Sequence, residues 1–354
     1  MPTPPLDLAP ITRHLRAMAG SRILITAVHH IPVFQVLQNG PKSLADLAQH
    51  LGLKERPAMV FFPALCALEM LAFNPEGNLT LTPLGRYLTQ TQQPNLVGYT
   101  GLEKNDPGVL ALTELLMNDG PKDTTNGVTY VKDDDAPSPM DDPEAARFLT
   151  LALAGRAEYL ARVVAEKLPQ RNGHLLDVAA GTGFYTYEWL LSNPKATATV
   201  FDRPEVLKVA KELLDIFRKS GRNGAAEVRQ RVSFMPGDML TDELPAADLI
   251  LAASLFHDWP TKTCIYLTQK FARALKPGGE LWVHDAFLHD SLDGPLAATD
   301  YSVMLFTGTK GRIYSRQEHR EWFSQAGLIS TAENFPTLMD YNLISARKPE
   351  YRIF

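Results

Sequence analysis

Residues 174–183, His-Leu-Leu-Asp-Val-Ala-Ala-Gly-Thr-Gly, constrain this chain more than any other stretch. An apolar run reaches an acid, Asp177, then two small residues and a Gly-x-Gly, and a segment with helical spacing follows. This pattern describes a buried strand ending in a tight turn whose backbone comes close to a ligand. Glycine serves there because side chains would block the approach or forbid the dihedrals. The motif alone does not name the ligand.

Downstream, strand and helix patterns alternate. Leu175–Ala180, Thr197–Asp202, Val232–Met235, Leu249–Phe256 and Glu280–His284 read as strands. Phe184–Leu191, Val206–Lys219, Thr261–Leu275 and Ser315–Gln325 read as helices, the last opened by a Ser315/Glu318 capping box. Ile329–Thr337 and Tyr341–Ala346 have only a short connection and predict an antiparallel hairpin. Such alternation predicts a doubly wound, mostly parallel α/β sheet with ligands at the carboxyl ends of its strands.

The first part of the chain differs. Ser43–Gly52 begins with an N-cap serine and stops at a glycine, and a second helix pattern covers Pro57–Leu71. Phe73–Thr82 reads as a hairpin around Pro75–Asn78, and Thr82-Pro83 opens another helix. Helix, turn, helix and small wing describe a winged-helix module. Its literal reading is DNA binding, which makes a ligand-sensing regulator the remote alternative. Packing or dimerisation is the stronger reading, because Arg56–Glu69 carries one Arg and one Glu on an otherwise apolar surface and phosphate contacts need Lys or Arg. A net charge of −5 also gives no nucleic-acid footprint. Residues 118–143 are polar and turn-rich, and Asp133, Asp134 and Asp135 read as a solvated acidic loop rather than a metal cluster. Asp142-Pro143-Glu144 then opens a long helix to about Leu168. The division expected is 1–117, a connector over 118–170, and a ligand-binding domain over 171–354, in keeping with 354 residues exceeding one typical core. Two separated cysteines, Cys66 and Cys264, suit a reducing cytoplasm, and no apolar stretch predicts a signal peptide or membrane span.

Acids at successive strand ends narrow the ligand. Asp202 can accept both ribose hydroxyls of an adenosine-containing cofactor, as a dinucleotide enzyme would also require. The turn Gly181-Thr-Gly183-Phe-Tyr-Thr186 lacks the third glycine of a dinucleotide fingerprint, and Asp177 would repel a pyrophosphate while tolerating a cation. After the third strand, Gly237-Asp238-Met239 offers an acceptor for an adenine amino group and a thioether for the ring face. Together these favour S-adenosylmethionine, whose sulfonium has no phosphate to place. The fourth strand leads to Phe256-His257-Asp258-Trp259, where a neutral imidazole is a natural general base for a hydroxyl proton. Asp285, after His284, either orients that imidazole or is a cap or surface acid. The His-Asp pairs at 257/258, 284/285 and 289/290 do not by themselves make a metal site. Phe148, Tyr301, Met304 and Phe306 are candidate pocket walls, although apolar residues at helical spacing are usually core.

With these residues in place, 174–346 resembles the catalytic domain of class I S-adenosylmethionine-dependent methyltransferases. The whole chain resembles the small-molecule O-methyltransferases of the plant caffeate and acetylserotonin type and their bacterial relatives. The resemblance implies an α/β fold with a Rossmann-like, mostly parallel seven-stranded sheet, preceded by a mainly α winged-helix dimerisation domain in a homodimer. It implies His257 as base with Asp285 beside it. It implies a cofactor set of Asp177, Ala179, Gly181, Gly183, Asp202, Arg203, Gly237, Asp238, Met239 and Ser254, with no metal. The family usually has glutamate on either side of the histidine. Asp285 falls at the first position, and Lys310-Gly311-Arg312 carries no acid at the second. Ala179 and Ala180 replace glycines of the loop, and Ala253 replaces a lysine four residues before the histidine. The function expected is methyl transfer to a hydroxyl of a small apolar or aromatic molecule. N- or C-methylation, or a non-methylating reaction on the same fold, is the alternative.

Overall fold

Helix ends in the first part of the chain form where local chemistry marks them. In the computed structural model, which describes residues 6–120, 138–331 and 333–350, the Ser43 hydroxyl accepts from Asp46 N at 3.1 Å and opens the helix Leu44–Leu51. Gly52 closes it in the left-handed conformation at φ 70°. Glu55–Ala67 follows, then β1 (Leu71–Phe73) and β2 (Leu79–Leu81), paired antiparallel. Thr82 caps a helix of one turn, Pro83–Arg86, through Gly85 N. The elements therefore come in the order helix, helix, hairpin. The second helix ends at Ala67 rather than running to Leu71, because Glu69 turns left-handed at φ 64° to feed β1. The acidic triplet Asp133, Asp134, Asp135 lies outside the described residues.

By compactness the chain forms two units. The first holds residues 6–120 together with Phe287–Arg316. The pattern of alternation assigns the latter segment to the C-terminal domain, but its helix Leu296–Phe306 contributes Val303 and Phe306 to the same core as Ile23, Phe34, Leu47, Phe61 and Phe62. Phe306 is thus fully buried core, and Tyr301 lies beneath the Arg16 guanidinium, 4.1 Å from its ring centroid. Neither stands free as a pocket wall within this unit, and Met304 is half-buried on the same helix. Arg56, the cation of the supposed recognition helix, is spent internally. It donates to Asp119 Oδ1 at 2.8 Å and to the carbonyls of Thr309 and Gly311, and its plane covers Phe306. The helix itself is core along most of its length.

The second unit is built on one sheet. Its strands are β3 (His174–Val178), β4 (Thr197–Asp202), β5 (Val232–Pro236), β6 (Ala247–Ala253), β7 (Leu275–Asp285), β8 (Ile329–Ser330), β9 (Phe335–Pro336) and β10 (Asn342–Arg347). The order is β5-β4-β3-β6-β7-β10, with β8 and β9 both pairing β10. Strands β3 to β7 are parallel, and β10 runs antiparallel to β7. The sheet has seven positions as expected, but its edge position is divided. Ala346 opposite Ser330 and Leu343 opposite Phe335 mark two short strands where one long strand was expected. Exposed Glu333 and Asn334 lie between them, and an edge with no apolar face to bury loses its pairing there. Leu175, Leu176, Val178, Val200, Ile250 and Val283 are fully buried, as strands covered on both faces require.

Strand order reverses between β3 and β6, which opens a crevice at their carboxyl ends. The helix Phe184–Ser192 follows β3, and Pro143–Lys167, capped by Asp142 onto Ala145 N at 2.8 Å, precedes it. Strand β6 stops at Ala253, three residues short of the expected end. Ser254 turns left-handed at φ 52°, and a single 3-10 turn, Phe256–Asp258, carries the histidine. Among the described residues no helix is long and apolar enough to cross a membrane.

Candidate active site

The turn after β3 is held from its neighbour strand. Asp202, ending β4, accepts from Gly181 N at 2.8 Å and from Arg203 N at 2.7 Å. Burial pushes its carboxyl up to about 6, against the pull of those two backbone donors and of Arg203. A carboxylate has about four lone-pair sites, so two backbone bonds leave capacity for ribose hydroxyls. Ala179 and Gly181 sit in the left-handed region at φ 53° and 56°. A methyl added at Gly181 would meet no protein atom within 4 Å, so this wall of the crevice is open to a close-lying ligand.

Ala179, Gly181, Asp202, Arg203, Gly237, Asp238, Met239 and Ser254 all line one cleft. Two residues of the expected cofactor set stand behind it. Asp177 is buried, and the Thr186 hydroxyl donates to its Oδ2 at 2.7 Å, which fastens β3 to the following helix. Burial pushes the Asp177 carboxyl up to about 7. Gly183, at φ 74°, makes room for Tyr187, whose hydroxyl would lie 2.4 Å from an added Cβ. Gly237 likewise accommodates the Phe201 ring, 2.5 Å from an added Cβ.

Ion pairs fix one end of the cleft. Arg203 makes bonds of 2.5–2.8 Å to the Asp141 carboxylate and lies 3.0 Å from Asp238 Oδ2. Asp238 Oδ1 also accepts from Leu240 N at 2.9 Å. The Arg203 guanidinium is therefore engaged by protein carboxylates, and its contribution to the cleft is to hold that wall. The other wall comes from Pro143–Lys167 through Leu149, Leu153 and Arg156. Phe148, the expected wall residue, is 70% exposed; one helical step of about 100° carries it off the face that its neighbour Leu149 occupies. Spacing of 149, 153 and 156 marks a common helical face in the sequence, but nothing local says that this face meets the crevice. Arg156, which sequence reasoning missed, donates to the Tyr341 hydroxyl at 2.9 Å.

His257 is buried at the rim of this cleft, beside lining residues Leu255, Asp258 and Trp259. Its Nδ1 donates to Asp285 Oδ1 at 2.6 Å, and that oxygen also accepts from Ala286 N. Its Nε2 lies 3.6 Å from Asp258 Oδ1, too far for a hydrogen bond but close for a charge. Burial acts to lower the imidazole, yet Asp285, Asp258 and the Tyr341 phenol outweigh it and raise the ring to about 9. The Cys264 thiol is within bonding distance of the carbonyls of Phe256 and Trp259, at 3.3 and 3.4 Å, and so steadies the turn. His284 differs from its neighbour: burial lowers it to about 3, and it stacks on Tyr341 with ring centroids 5.2 Å apart. Among the described residues no three His, Cys, Asp or Glu side chains converge as a metal site.

The residues present fit S-adenosylmethionine. Ser254 Oγ is buried with no partner among the described residues and lines the cleft, so the site has a polar atom that a ligand can satisfy. Asp202 supplies acceptors for ribose, and Arg156 a cation for a carboxylate.

The model of the O-methyltransferase domain family matches residues 141–329, more than half of the chain, and the protein belongs to that family. It is an S-adenosylmethionine-dependent enzyme that transfers a methyl group to a hydroxyl of a small molecule. The tetracenomycin polyketide synthesis 8-O-methyl transferase TcmO of Streptomyces glaucescens is 28% identical over 338 residues, 94% of each chain. The acetylserotonin O-methyltransferase of Bos taurus is 33% identical over 153 residues, 43% of this chain and 41% of its own. Among solved structures, a family 2 O-methyltransferase of Planctomyces limnophilus in complex with apigenin is 36% identical with a TM-score of 0.84, covering 98% of this chain and 97% of its own.

Proposed function

We propose that His257 is the general base of this methyltransferase and that its acceptor is an aromatic hydroxyl compound. The observation that carries the reading is the 2.6 Å bond from His257 Nδ1 to buried Asp285, which leaves Nε2 as the nitrogen to take a proton. Asp285 fixes the tautomer and stabilises the imidazolium that forms. S-adenosylmethionine supplies an electrophilic methyl group on a sulfonium. Asp202 would hold its ribose, Met239 and the Asp238 segment its adenine, and the 179–182 turn with Ser254 and Arg156 its amino-acid end. Holding two reactants in line contributes up to roughly 7–11 kcal/mol in favourable cases, and general-base action adds about 10²–10⁴-fold. The aromatic acceptor class is supported by two relatives, one named for tetracenomycin polyketide synthesis and one solved with apigenin.

The N-terminal elements are read as a winged-helix dimerisation module in a cytoplasmic homodimer. Supporting this, Ile11, Leu15 and Met18 form one apolar stripe on Ala9–Gly20 and are 68%, 58% and 64% exposed.

The test is His257→Ala, with methylated product and S-adenosylhomocysteine quantified over a panel of phenols. Turnover is expected to fall about 10²–10⁴-fold with S-adenosylhomocysteine affinity unchanged. Retained turnover would remove His257 from the chemistry.

A further inference from the structure

The partners of His257 create a problem for it at neutral pH. Two carboxylates face the ring, Asp285 from the end of β7 at 2.6 Å and Asp258 from its own turn at 3.6 Å. The Tyr341 phenol faces it from the approach to β10, and the ring keeps its proton to about pH 9. A base that is already protonated cannot accept a hydroxyl proton at pH 7. The other titratable groups nearby do not remove the difficulty. His284 is neutral, and the Arg156 guanidinium donates to the Tyr341 hydroxyl at 2.9 Å.

The two carboxylates are placed differently. Asp285 is 2% exposed, and the oxygen that meets Nδ1 is also bonded to Ala286 N, so it is built into the protein. Asp258 lines the cleft together with Ser254, Asp202 and the 179–182 turn. A cation bound in that cleft beside Asp258 would share one carboxylate with the Nε2 side of His257. Two like charges about 6 Å apart at an effective dielectric of about 20 disfavour one another by roughly a hundredfold. That is enough to bring a ring titrating near 9 close to neutrality.

We propose that Asp258 is a positioning residue that couples the protonation of His257 to the charge of the bound cofactor. Without the cofactor, His257 holds its proton between Asp285 and Asp258; with a sulfonium beside Asp258, His257 releases that proton to solvent and stands ready as a base. The proton count then closes over one turnover. His257 loses a proton to solvent when S-adenosylmethionine binds. It takes the acceptor's hydroxyl proton as the oxygen–methyl bond forms and the methyl–sulfur bond breaks. Once the sulfur is a neutral thioether, His257 keeps that proton and is back in its resting form. The net release is one proton per methyl transferred. S-adenosylhomocysteine has no sulfonium and should leave the proton where it is.

This coupling rests on the reading of His257 as the base, and the two can fail separately. S-adenosylmethionine and S-adenosylhomocysteine are titrated calorimetrically into the wild-type enzyme at pH 7.5, in two buffers of different ionisation enthalpy. The expected result is close to one proton released with S-adenosylmethionine and close to none with S-adenosylhomocysteine. Its affinity for S-adenosylmethionine should then tighten up to tenfold between pH 7 and 8, because one released proton gives one decade per pH unit. Asp258→Asn should lower the number of protons released with S-adenosylmethionine while leaving S-adenosylhomocysteine affinity within a factor of about two. Equal proton counts for the two ligands in the wild type overturn the proposal even if Asp258→Asn does not fold, and so does an unchanged count in a folded variant. Full activity in His257→Ala defeats the base assignment instead. An inactive His257→Ala with equal wild-type counts defeats only the coupling.

Discussion

Gly181 and Gly183 are two letters apart in one motif and serve different ends, which a pair of alanine substitutions separates. At Gly183 the backbone is left-handed at φ 74°, and an added Cβ would lie 2.4 Å from Tyr187 Oη and 2.5 Å from its Cζ. Tyr187 cannot move cheaply. Its ring is fully buried, and its hydroxyl donates to Ala210 O at 2.8 Å. Left-handed strain in an alanine costs about 1–2 kcal/mol. A displaced hydroxyl that leaves Ala210 O unpaired costs about 1–3 kcal/mol more. Gly183→Ala should therefore lose about 3 kcal/mol, or ~6–12 °C in melting temperature for a unit of this size. At Gly181, φ is 56° and the added methyl meets nothing, so only strain remains, about 1 kcal/mol and ~2–4 °C. That methyl, however, stands on the wall of the cleft proposed to hold the cofactor. Thermal unfolding and calorimetric titration with S-adenosylhomocysteine read the two effects. Gly183→Ala should be the less stable variant, and Gly181→Ala should bind at least about tenfold more weakly, a loss of roughly 1.4 kcal/mol. A Gly183 variant as stable as its partner, or a Gly181 variant that binds normally, would refute the division of roles.

Further substitutions test the rest of the site. Asp285→Asn removes the charge at Nδ1, leaving only Asp258 and Tyr341 to oppose burial at His257; kcat should fall about 10²-fold and its rise with pH should move to lower pH, so an unmoved pH–rate profile counts against the pairing. Asp177 is held protonated up to about pH 7 against an ordinary value of 3.8, so its ionised form is penalised in the folded state. From that shift, stability should decline by up to about 4 kcal/mol as pH rises from about 4 to 7, and Asp177→Asn should abolish this part of the decline. Urea midpoints at pH 5 and pH 8 check the sign, since parallel curves for variant and wild type would contradict it. Ile11→Glu combined with Leu15→Glu places charge on the exposed stripe of Ala9–Gly20, and sedimentation should show the dimer replaced by monomer. A monomeric wild type, or a variant that stays dimeric, would remove that surface as the interface.

How far the fold could be read from residues depended on whether the signal was local. Ser43, Gly52, Thr82 and Asp142 mark helix ends by bonds within three residues, and each does so in the structure. Strand β4 ends at Asp202 where the apolar run ends, because burial on both faces stops there. The helix Leu296–Phe306 was harder. Its apolar residues say that it is buried but not in which core, and Val303 and Phe306 belong to the core of the N-terminal helices. Phe148 and Leu149 pose the same question at single-residue scale, since both are apolar neighbours and only the rotation of the helix against the sheet decides which faces the cleft. The division of the edge position between β8 and β9 depends on what covers an edge, which a pattern of alternation does not contain.

The site was legible to the extent that the sheet dictates it. Carboxyl ends of parallel strands gather at one edge, so acids at 202 and 238 and the histidine at 257 converge without any long-range information. What each residue does there depends on partners from elsewhere in the chain. Arg203 reads as a cofactor ligand by position, yet Asp141 and Asp238 claim its guanidinium. Asp177 and Asp202 are both acids at strand ends. The hydroxyl of Thr186 draws Asp177 behind the turn, while the backbone amides of Gly181 and Arg203 hold Asp202 at its mouth. The histidine shows the limit most clearly. With no acid in Lys310-Gly311-Arg312, the sequence suggests a base with one carboxylate partner. The structure brings a second one, Asp258, toward Nε2 from the adjacent position. At 3.6 Å it is too far to bond and near enough to act as a charge, and on the coupling proposed above its effect on the imidazole would depend on the charge placed in the cleft beside it.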